Sequence, residues 1–433
     1  MPLPPALRLR PPGPFDAEIR PPGSKSLSNR ALLLAALADG RSTLKGMLDA
    51  EDTQHMRACL GALDVDVHEG SDGVLEVHGH AGRFRSPPPV PTLDVGTAGT
   101  VARLLGAALA ASPVHVVLDG SARMRERPMA QLLGALAQQG AQLRFRGEPG
   151  LLPVEIGPND EPLRGGEIRL ERPASSQIVS GLVIAAGLAK TPTRIVLERG
   201  TPAKPYVDMT LAVMEAFGGR ASWEGDDVLV IEPSRFCPID YVVEPDASAA
   251  SYPLGLASLY GGRCRVPALG RASLQGDVRF ADVLERMGAR VSQGSHETTV
   301  EGTGTVEGGD FDLTDMPDMT LTLAALALRA RGSTRIRGVE ILRHHESDRL
   351  AAAAAELRKL GATVVEQPDG LDIEPPADGP RLGVEVDTYR DHRMAMAFSL
   401  VGDVVVRDPA CVGKTWPEYF SVLRKLGMVV GSA

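Results

Sequence analysis

The sequence predicts an α/β protein of two domains, built from six copies of one strand–helix unit with three copies in each domain. The chain has 433 residues, which is more than one ordinary hydrophobic core organises, so two domains are expected. A helix followed by a sharp turn and an alternating apolar strand recurs six times. A second kind of helix, apolar on nearly every side, alternates with the first.

The recurring helix ends in Leu-Gly or a close variant of it. Glycine suits the residue that follows a helix, where the left-handed conformation is common, and the alternation after it is typical of a strand. Copies recur at intervals of about 70 residues, three in each half of the chain. Five carry glycine at the turn and the weaker first copy carries aspartate: Asp64, Gly140, Gly218, Gly288, Gly361 and Gly427. Six βαβ-type units are the simplest interpretation.

The second kind of helix is too apolar to lie on a surface and is expected to be buried. Such segments span residues 28–37, 100–111, 176–189, 319–328 and 394–401. Each begins at polar or glycine-containing residues. If the buried helices of a domain run parallel, their N-termini collect at one end, where free N–H groups and helix dipoles favour anions.

Proline-rich segments mark the domain boundaries. Pro21-Pro22-Gly23 and Pro245 are the candidate hinges. Domain one is expected to comprise residues 1–21 with 245–433, and domain two residues 22–244. The active site is expected in the cleft between them.

Composition excludes several function classes. The formal net charge is -9 and aromatic residues make up 4% of the chain, which argues against nucleic acid as a partner. The four cysteines are scattered, as in a reduced cytoplasmic protein, so neither a disulfide framework nor a zinc site is expected. No apolar run approaches the length of a membrane span, and the first residues lack the apolar segment of a secretory signal.

Charged residues concentrate at the predicted helix starts. Taken singly, each has an ordinary explanation as a helix cap or a solvated cation. Adjacent His344, His345 and Glu346 do not suit one metal ion, and Asp408 stands where a P-loop before Gly413-Lys414-Thr415 needs glycine. Together, the charged set indicates a site for small anionic substrates with acid–base chemistry between them. The set is Lys25, Arg30, Arg127, Arg349, Arg393, Lys414, Asp318 and Glu346.

Motifs in this order resemble the 5-enolpyruvylshikimate-3-phosphate synthase family. They include PPGSKSLSNRALLLAALADG, GTAGTVARLL, RMRERPM, SSQIVSGL, MPDMTLTLAALAL, HESDRL, TYRDHRM and GKTWPEYF, between about residues 20 and 420. The resemblance implies a two-domain inside-out α/β barrel of six βαβαββ repeats. It implies transfer of the enolpyruvyl group of phosphoenolpyruvate to the 5-hydroxyl of shikimate 3-phosphate, on the pathway to chorismate and aromatic amino acids. It also implies a glyphosate-binding, monomeric enzyme without cofactor or metal.

The resemblance also assigns roles by motif position. Asp318 would accept the hydroxyl proton and Glu346 would protonate the methylene carbon, with Lys25 as a further participant. Shikimate 3-phosphate would be bound by Lys25, Ser26, Arg30, Ser175, Ser176, Gln177, Tyr206, Asp318 and His345. Phosphoenolpyruvate would be bound by Lys25, Gly99, Arg127, Gln177, Arg349, Arg393 and Lys414.

Four positions depart from the usual family pattern: Ala203 replaces serine, Ile341 asparagine, His345 lysine and Leu104 proline. These changes bear on substrate affinity rather than on the reaction. Because histidine titrates near neutral pH, we expect the Michaelis constant for shikimate 3-phosphate to rise with pH more steeply than in a His345→Lys variant.

Two alternatives remain. The related UDP-N-acetylglucosamine enolpyruvyl transferases carry a cysteine in the segment where this chain has Ala122. A non-catalytic anion-binding protein would have no need of Asp318 and Glu346 beside the cations.

Overall fold

The computed structural model describes residues 3–70 and 73–433, and strands and helices alternate along the whole of this length. The strands are β1 (Ala6–Arg10), β2 (Asp16–Glu18), β3 (Arg41–Lys45), β4 (Asp66–Glu69), β5 (Leu75–His78), β6 (Thr92–Asp94), β7 (Val116–Asp119), β8 (Leu143–Phe145), β9 (Val154–Ile156), β10 (Gly166–Leu170), β11 (Thr193–Leu197), β12 (Arg220–Trp223), β13 (Val228–Glu232), β14 (Asp240–Val242), β15 (Arg263–Pro267), β16 (Arg290–Gln293), β17 (Glu297–Glu301), β18 (Val306–Glu307), β19 (Asp310–Asp312), β20 (Ala330–Arg331), β21 (Thr334–Arg337), β22 (Thr363–Gln367), β23 (Gly370–Glu374), β24 (Val384–Val386), β25 (Val404–Arg407) and β26 (Val429–Ser432).

Thirteen α-helices lie between these strands in the described ranges. They are α1 (Lys25–Leu37), α2 (Glu51–Gly61), α3 (Gly99–Ala110), α4 (Ala122–Arg125), α5 (Ala130–Gln138), α6 (Ser176–Ala186), α7 (Lys204–Ala216), α8 (Ala247–Tyr260), α9 (Phe280–Arg286), α10 (Thr320–Ala327), α11 (Arg349–Lys359), α12 (His392–Phe398) and α13 (Tyr419–Lys425). Short 3-10 turns include Pro317–Met319, Glu340–His344 and Pro409–Lys414. No helix in the described parts of the chain is both long enough and apolar enough to cross a membrane.

Six four-stranded sheets share one topology. Their orders are β14-β3-β5-β4, β6-β7-β9-β8, β10-β11-β13-β12, β2-β15-β17-β16, β19-β21-β23-β22 and β24-β25-β1-β26. In each, the first two strands are parallel and the last two are antiparallel, as in β6, β7, β9 and β8. The last two strands form a hairpin in five of these sheets, whereas in the sixth β1 pairs with β26 from the opposite end of the chain. This is the βαβαββ pattern expected from the family resemblance, and it confirms the α/β fold with six repeats.

The chain divides into two compact units, each with its own hydrophobic core. Unit two comprises Gly23–Val243, and unit one comprises the chain up to Pro22 together with Glu244–Ala433. The N-terminal strands complete sheets of unit one, because β1 pairs with β25 and β26 while β2 pairs with β15. Each unit therefore holds three of the six repeats.

The turn residues that mark the repeat adopt the predicted conformation. Gly140, Gly218, Gly288, Gly361 and Gly427 have φ of 108°, 82°, 99°, 102° and 89°. Asp64, which replaces glycine in the first copy, has φ of 60°. All six lie in the left-handed half of the map, where glycine carries no Cβ penalty and aspartate is tolerated better than most residues.

All five predicted apolar helices are present and buried, and there is a sixth that the sequence analysis missed. This is α8, whose residues Ala247–Leu259 are all buried. The apolar pattern did not predict α8, because Pro253 and three serines interrupt it. Two of the serines donate to backbone carbonyls of the same helix, Ser251 Oγ to Ser248 O at 2.7 Å and Ser258 Oγ to Leu254 O at 3.1 Å. Serine satisfied in this way is compatible with burial.

Candidate active site

In unit one, charged side chains converge from the starts of three helices. Arg349 is the first residue of α11, Arg393 is the second residue of α12, and Asp318 lies in the 3-10 turn that leads into α10. Asp318 does not cap α10, which was its ordinary alternative explanation; its carboxylate accepts from arginines instead. Glu346 precedes α11, and Lys414 ends the turn Pro409–Lys414.

Arg349 is the centre of this cluster and is almost completely buried. Its Nη1 donates to Asp318 Oδ1 at 3.0 Å and to His345 Nδ1 at 3.0 Å. Its Nη2 donates to Glu346 Oε2 at 2.9 Å and to Asp391 Oδ1 at 3.1 Å, and Nε donates to Asp391 Oδ2 at 2.7 Å. These five bonds use all five N–H groups of the guanidinium. Burial alone would lower the pKa of Arg349, but the charges of Asp391, Glu346 and Asp318 outweigh it and raise the pKa above its ordinary value.

Asp391 fixes the position of the Arg349 guanidinium by accepting two hydrogen bonds from it. Its side chain is 0% exposed and caps α12 by accepting from Arg393 N at 3.0 Å. Ser347 Oγ also donates to it, at 3.0 Å. The sequence analysis gave Asp391 no role, although its place two residues before Arg393 at a helix start is the signal that could have found it.

Besides Arg349, which contacts both of them, each of the two proposed acid–base groups lies beside a cation of its own. Arg393 Nη2 donates to Asp318 Oδ2 at 2.6 Å, and Lys414 Nζ lies 3.4 Å from Glu346 Oε1. Asp318 and Glu346 are 17% and 10% exposed, so both are reachable yet largely shielded from water. Carboxylates in such surroundings can exchange protons with a bound substrate while the cations hold its anionic groups.

In unit two, α1 presents Lys25 and Arg30. Ser24 caps α1, and Lys25 Nζ lies 3.4 Å from Asp52 Oδ2, a buried carboxylate of α2 that the sequence analysis missed. Arg30 is 1% exposed, and its hydrogen-bond partners in the described part of the chain are neutral groups: Thr210 Oγ1, Ser180 Oγ, Ser26 O and Tyr206 O. Burial lowers the pKa of Arg30 to about 10. Arg30 therefore fixes Ser26 and Tyr206 relative to each other.

The start of α3 packs against two buried arginines. Arg103 Nη1 donates to Gln177 Oε1 at 2.9 Å, and Gln177 Nε2 donates to Thr100 Oγ1 at 3.2 Å. A Cβ added at Gly99 would lie 2.6 Å from Arg127 Nη2 and 2.7 Å from Arg103 Nη1. The absence of a side chain at Gly99 thus leaves room for both guanidiniums. Arg103 is a further residue that the sequence analysis did not single out.

Ser175 and Ser176 lie at the start of α6. Ser175 caps the helix by accepting from Gln177 N at 3.2 Å, and Ser176 is its first residue. Ser175 therefore has a structural role as a helix cap. Among the described residues, no group of three or more His, Cys, Asp or Glu side chains is placed to hold a metal ion.

The structure thus brings the predicted residues together in two sets. The unit one set is Asp318, His345, Glu346, Arg349, Arg393 and Lys414, joined through Arg349 or through its partners. In unit two the contacts are local: Arg30 joins Ser26 to Tyr206, Arg103 joins Gly99 to Gln177, and Lys25 pairs with Asp52.

Comparisons with known proteins show the family to which the chain belongs. Residues 9–423 match the model of the family described as EPSP synthase (3-phosphoshikimate 1-carboxyvinyltransferase). A 3-phosphoshikimate 1-carboxyvinyltransferase of Pectobacterium carotovorum is 42% identical over 429 residues, covering 97% of this chain and 98% of the relative. One of Thiobacillus denitrificans is 43% identical over 418 residues, covering 94% and 96%.

Solved structures show the same fold. The EPSP synthase of Acinetobacter baumannii superposes with a TM-score of 0.81 at 25% identity, covering 99% of this chain and 100% of the other. The enolpyruvyl transferase NikO of Streptomyces tendae gives a TM-score of 0.78 at 20% identity, which bears on the fold alone. From the match along nearly its whole length, the chain belongs to the EPSP synthase family, the 3-phosphoshikimate 1-carboxyvinyltransferases.

Proposed function

We propose that Asp318 and Glu346 are the acid–base pair of the family reaction, the transfer of the enolpyruvyl group from phosphoenolpyruvate to the 5-hydroxyl of shikimate 3-phosphate. The observation that carries the proposal is their attachment to one guanidinium. Arg349 Nη1 contacts Asp318 Oδ1 at 3.0 Å, and Nη2 contacts Glu346 Oε2 at 2.9 Å. One planar fork thus brings both carboxylates into one site, so that one can serve the methylene carbon and the other the attacking oxygen.

The steps balance as an addition followed by an elimination. Glu346 gives a proton to the methylene carbon of phosphoenolpyruvate, which leaves a cation-like neighbouring carbon. The 5-oxygen attacks that carbon and gives its proton to Asp318, so that a tetrahedral ketal forms. The methyl group then returns a proton to Glu346 as the C–O bond to phosphate breaks, which gives the enol ether. The proton held by Asp318 passes to the leaving phosphate, so that both carboxyl groups return to their starting states.

The remaining predicted residues are assigned to binding. Phosphoenolpyruvate is assigned to lysine and arginine side chains, because arginine binds carboxylate and phosphate bidentately and keeps its charge. These are Lys25, Arg127, Arg349, Arg393 and Lys414, with Gly99 and Gln177 beside them. Shikimate 3-phosphate is assigned to Lys25, Ser26, Arg30, Ser175, Ser176, Gln177, Tyr206, Asp318 and His345.

The proposal also covers the oligomeric state and the cellular compartment of the protein. All four cysteines, Cys59, Cys237, Cys264 and Cys411, are free thiols, which supports a reducing, cytoplasmic compartment. Because the assigned residues all come from one chain, a monomer suffices for the reaction. Light scattering during size-exclusion chromatography tests this: a mass of 45.8 kDa supports it, and a stable dimer contradicts it.

The decisive experiment follows the methylene hydrogens of phosphoenolpyruvate. With shikimate 3-phosphate in D₂O, the wild type should release phosphate and exchange deuterium into the methylene group, whereas UDP-N-acetylglucosamine should support neither. Glu346→Gln should abolish the exchange and lower turnover by about 10²–10⁴. Asp318→Asn should lower turnover by a similar factor and still bind shikimate 3-phosphate.

Glu366→Gln is the matched control. Glu366 accepts from Arg343 Nη1 at 2.7 Å in an exposed ion pair outside the cluster, so its loss should leave kinetics unchanged. Turnover within about threefold of wild type in Glu346→Gln or Asp318→Asn would remove that residue from the mechanism.

A further inference from the structure

One face of helix α2 is turned toward the segment that leads into α3. Asp52, His55 and Cys59 are spaced by three and four residues, which places them in a row on a helix. Asp52 reaches Lys25, while His55 and Cys59 both reach the backbone of Asp94, where β6 ends. The helix therefore contacts two parts of the proposed binding machinery at once.

His55 makes a directional bond to this segment. Its Nδ1 lies 3.0 Å from Asp94 O. A carbonyl oxygen only accepts, so Nδ1 carries the hydrogen and donates it. The Cys59 thiol donates to the same carbonyl at 3.5 Å.

The imidazole ring also lies directly against Gly96. A Cβ added at Gly96 would be 2.2 Å from His55 Nε2 and 2.7 Å from both Cδ2 and Cε1. Gly96 has φ of 54° and donates its N–H to Asp94 Oδ1 at 2.9 Å, which closes a tight turn. The ring thus occupies the place that any larger residue at this turn would need.

This turn sets the position of the residues that follow it. Thr97 O accepts from Arg127 Nη1 at 3.2 Å, and Gly99 begins α3 against the same guanidinium. Only Thr97 and Ala98 lie between Gly96 and Gly99, so a displacement of the turn is transmitted to the Thr97 carbonyl and to Gly99. A small shift at a positioning group is enough to weaken binding.

We propose that His55 is a positioning residue for the phosphoenolpyruvate-binding part of the site. This inference rests on the proposed function. In it, His55 holds the turn Asp94–Gly96 so that Gly99 and Arg127 keep their positions. It touches no reacting atom. The bond needs only the hydrogen on Nδ1, which is present in one neutral tautomer and in the charged ring, so the effect does not depend on the charge of His55.

The experiment compares three variants in steady-state phosphate-release assays. His55→Ala should raise the Michaelis constant for phosphoenolpyruvate by roughly five- to tenfold, with less than a twofold change in that for shikimate 3-phosphate. His55→Asn places an amide N–H near the position of Nδ1 and should recover most of the loss. His80→Ala is the control, because His80 makes a similar bond at a distance from this turn, Nε2 to Asp64 O at 3.1 Å.

A double-mutant cycle tests the ring contact separately. Gly96→Ala carries the same backbone strain in either background, but its methyl meets the imidazole only when His55 is present. Its effect on the Michaelis constant for phosphoenolpyruvate should therefore be several-fold smaller in the His55→Ala background.

The outcomes separate this proposal from the proposed function. If the wild type releases no phosphate with either acceptor, the proposed function fails. If the wild type is active and His55→Ala behaves like His80→Ala, or raises both Michaelis constants equally, His55 has only a structural role and the proposal is overturned.

Discussion

Replacement of Gly99 by alanine separates loss of stability from loss of binding. Gly99 is the first residue of α3 and its φ is not positive, so alanine fits the backbone and the helix gains up to about 1 kcal/mol in intrinsic propensity. The added methyl group does not enter open space. It lies 2.6 Å from Arg127 Nη2 and 2.7 Å from Arg127 Cζ.

The size of the displacement follows from these distances. Non-bonded heavy atoms pack at roughly 3.5 Å or more, so the Arg127 guanidinium must retreat by about 1 Å. A misplacement of that size in a positioning group can cost up to about 10²-fold in rate. We therefore expect kcat/KM for phosphoenolpyruvate to fall by roughly ten- to a hundredfold. Competitive inhibition by glyphosate should weaken by a larger factor, because its longer chain has less freedom to move away from the methyl.

The assay is phosphate release as a function of phosphoenolpyruvate, with and without glyphosate, beside urea denaturation. Gly134→Ala is the matched control, since Gly134 lies within α5 and an added Cβ there meets nothing within 4 Å. It should stabilise the protein slightly and leave kinetics unchanged. Unchanged kinetics in Gly99→Ala, or equal losses for phosphoenolpyruvate and glyphosate, would refute the reasoning; so would glyphosate inhibition of the wild type that is not competitive.

Three further predictions follow from single contacts. Arg349→Lys cannot supply a planar fork to three carboxylates, so kcat/KM should fall at least about 10²-fold and urea unfolding should show a loss of about 3–5 kcal/mol; near-normal values of both would contradict the central role of Arg349. Asp64→Gly relieves a left-handed conformation and should raise the free energy of unfolding by up to about 1 kcal/mol, whereas a decrease would mean that the aspartate side chain stabilises the turn. For His345, Arg349 donates to Nδ1, which requires a lone pair there. The pH profiles of the Michaelis constant for shikimate 3-phosphate should therefore run parallel in wild type and His345→Lys, and a steeper wild-type profile would restore the expectation drawn from sequence.

The sequence predicted the repeat because its signals are local. A glycine such as Gly288 or Gly361 marks a helix end within a few residues, and strand alternation follows immediately. Helix α8 was missed because burial of its serines depends on bonds to its own carbonyls, which polarity patterns do not reveal. The strands β1 and β2 could not be paired from sequence, since their partners lie more than 200 residues away.

The residues of the candidate site also divide into those that the sequence revealed and those that it did not. The cations were visible as a set because Lys25, Arg349 and Arg393 lie at helix starts, although Arg127 follows α4 and Lys414 ends a 3-10 turn. The groups that orient them were not, because Asp52, Arg103 and Asp391 act on residues from other elements or on side chains that only the fold brings near. A buried carboxylate such as Asp391 resembles an ordinary helix cap until its second partner is known.

The hydrogen bonds that Arg349 already makes constrain how phosphoenolpyruvate can bind to it. All five of its N–H groups already donate to Asp318, His345, Glu346 and Asp391, so phosphoenolpyruvate can gain a bond to Arg349 only if one of these is released. Asp391 is fully buried and bonded twice, whereas Glu346 makes one bond to Arg349 and already lies 3.4 Å from Lys414, toward which it can turn. Turning Glu346 would both open Nη2 to a substrate anion and free the carboxyl group that the proposed mechanism needs as an acid.

Glu346→Gln weakens the competing ion pair, so phosphoenolpyruvate should bind this variant as tightly as wild type, or up to several-fold more tightly, while turnover falls by about 10²–10⁴. Equilibrium binding in the presence of shikimate 3-phosphate measures this, and a loss of affinity that parallels the loss of turnover would show that Glu346 stays on Arg349 throughout.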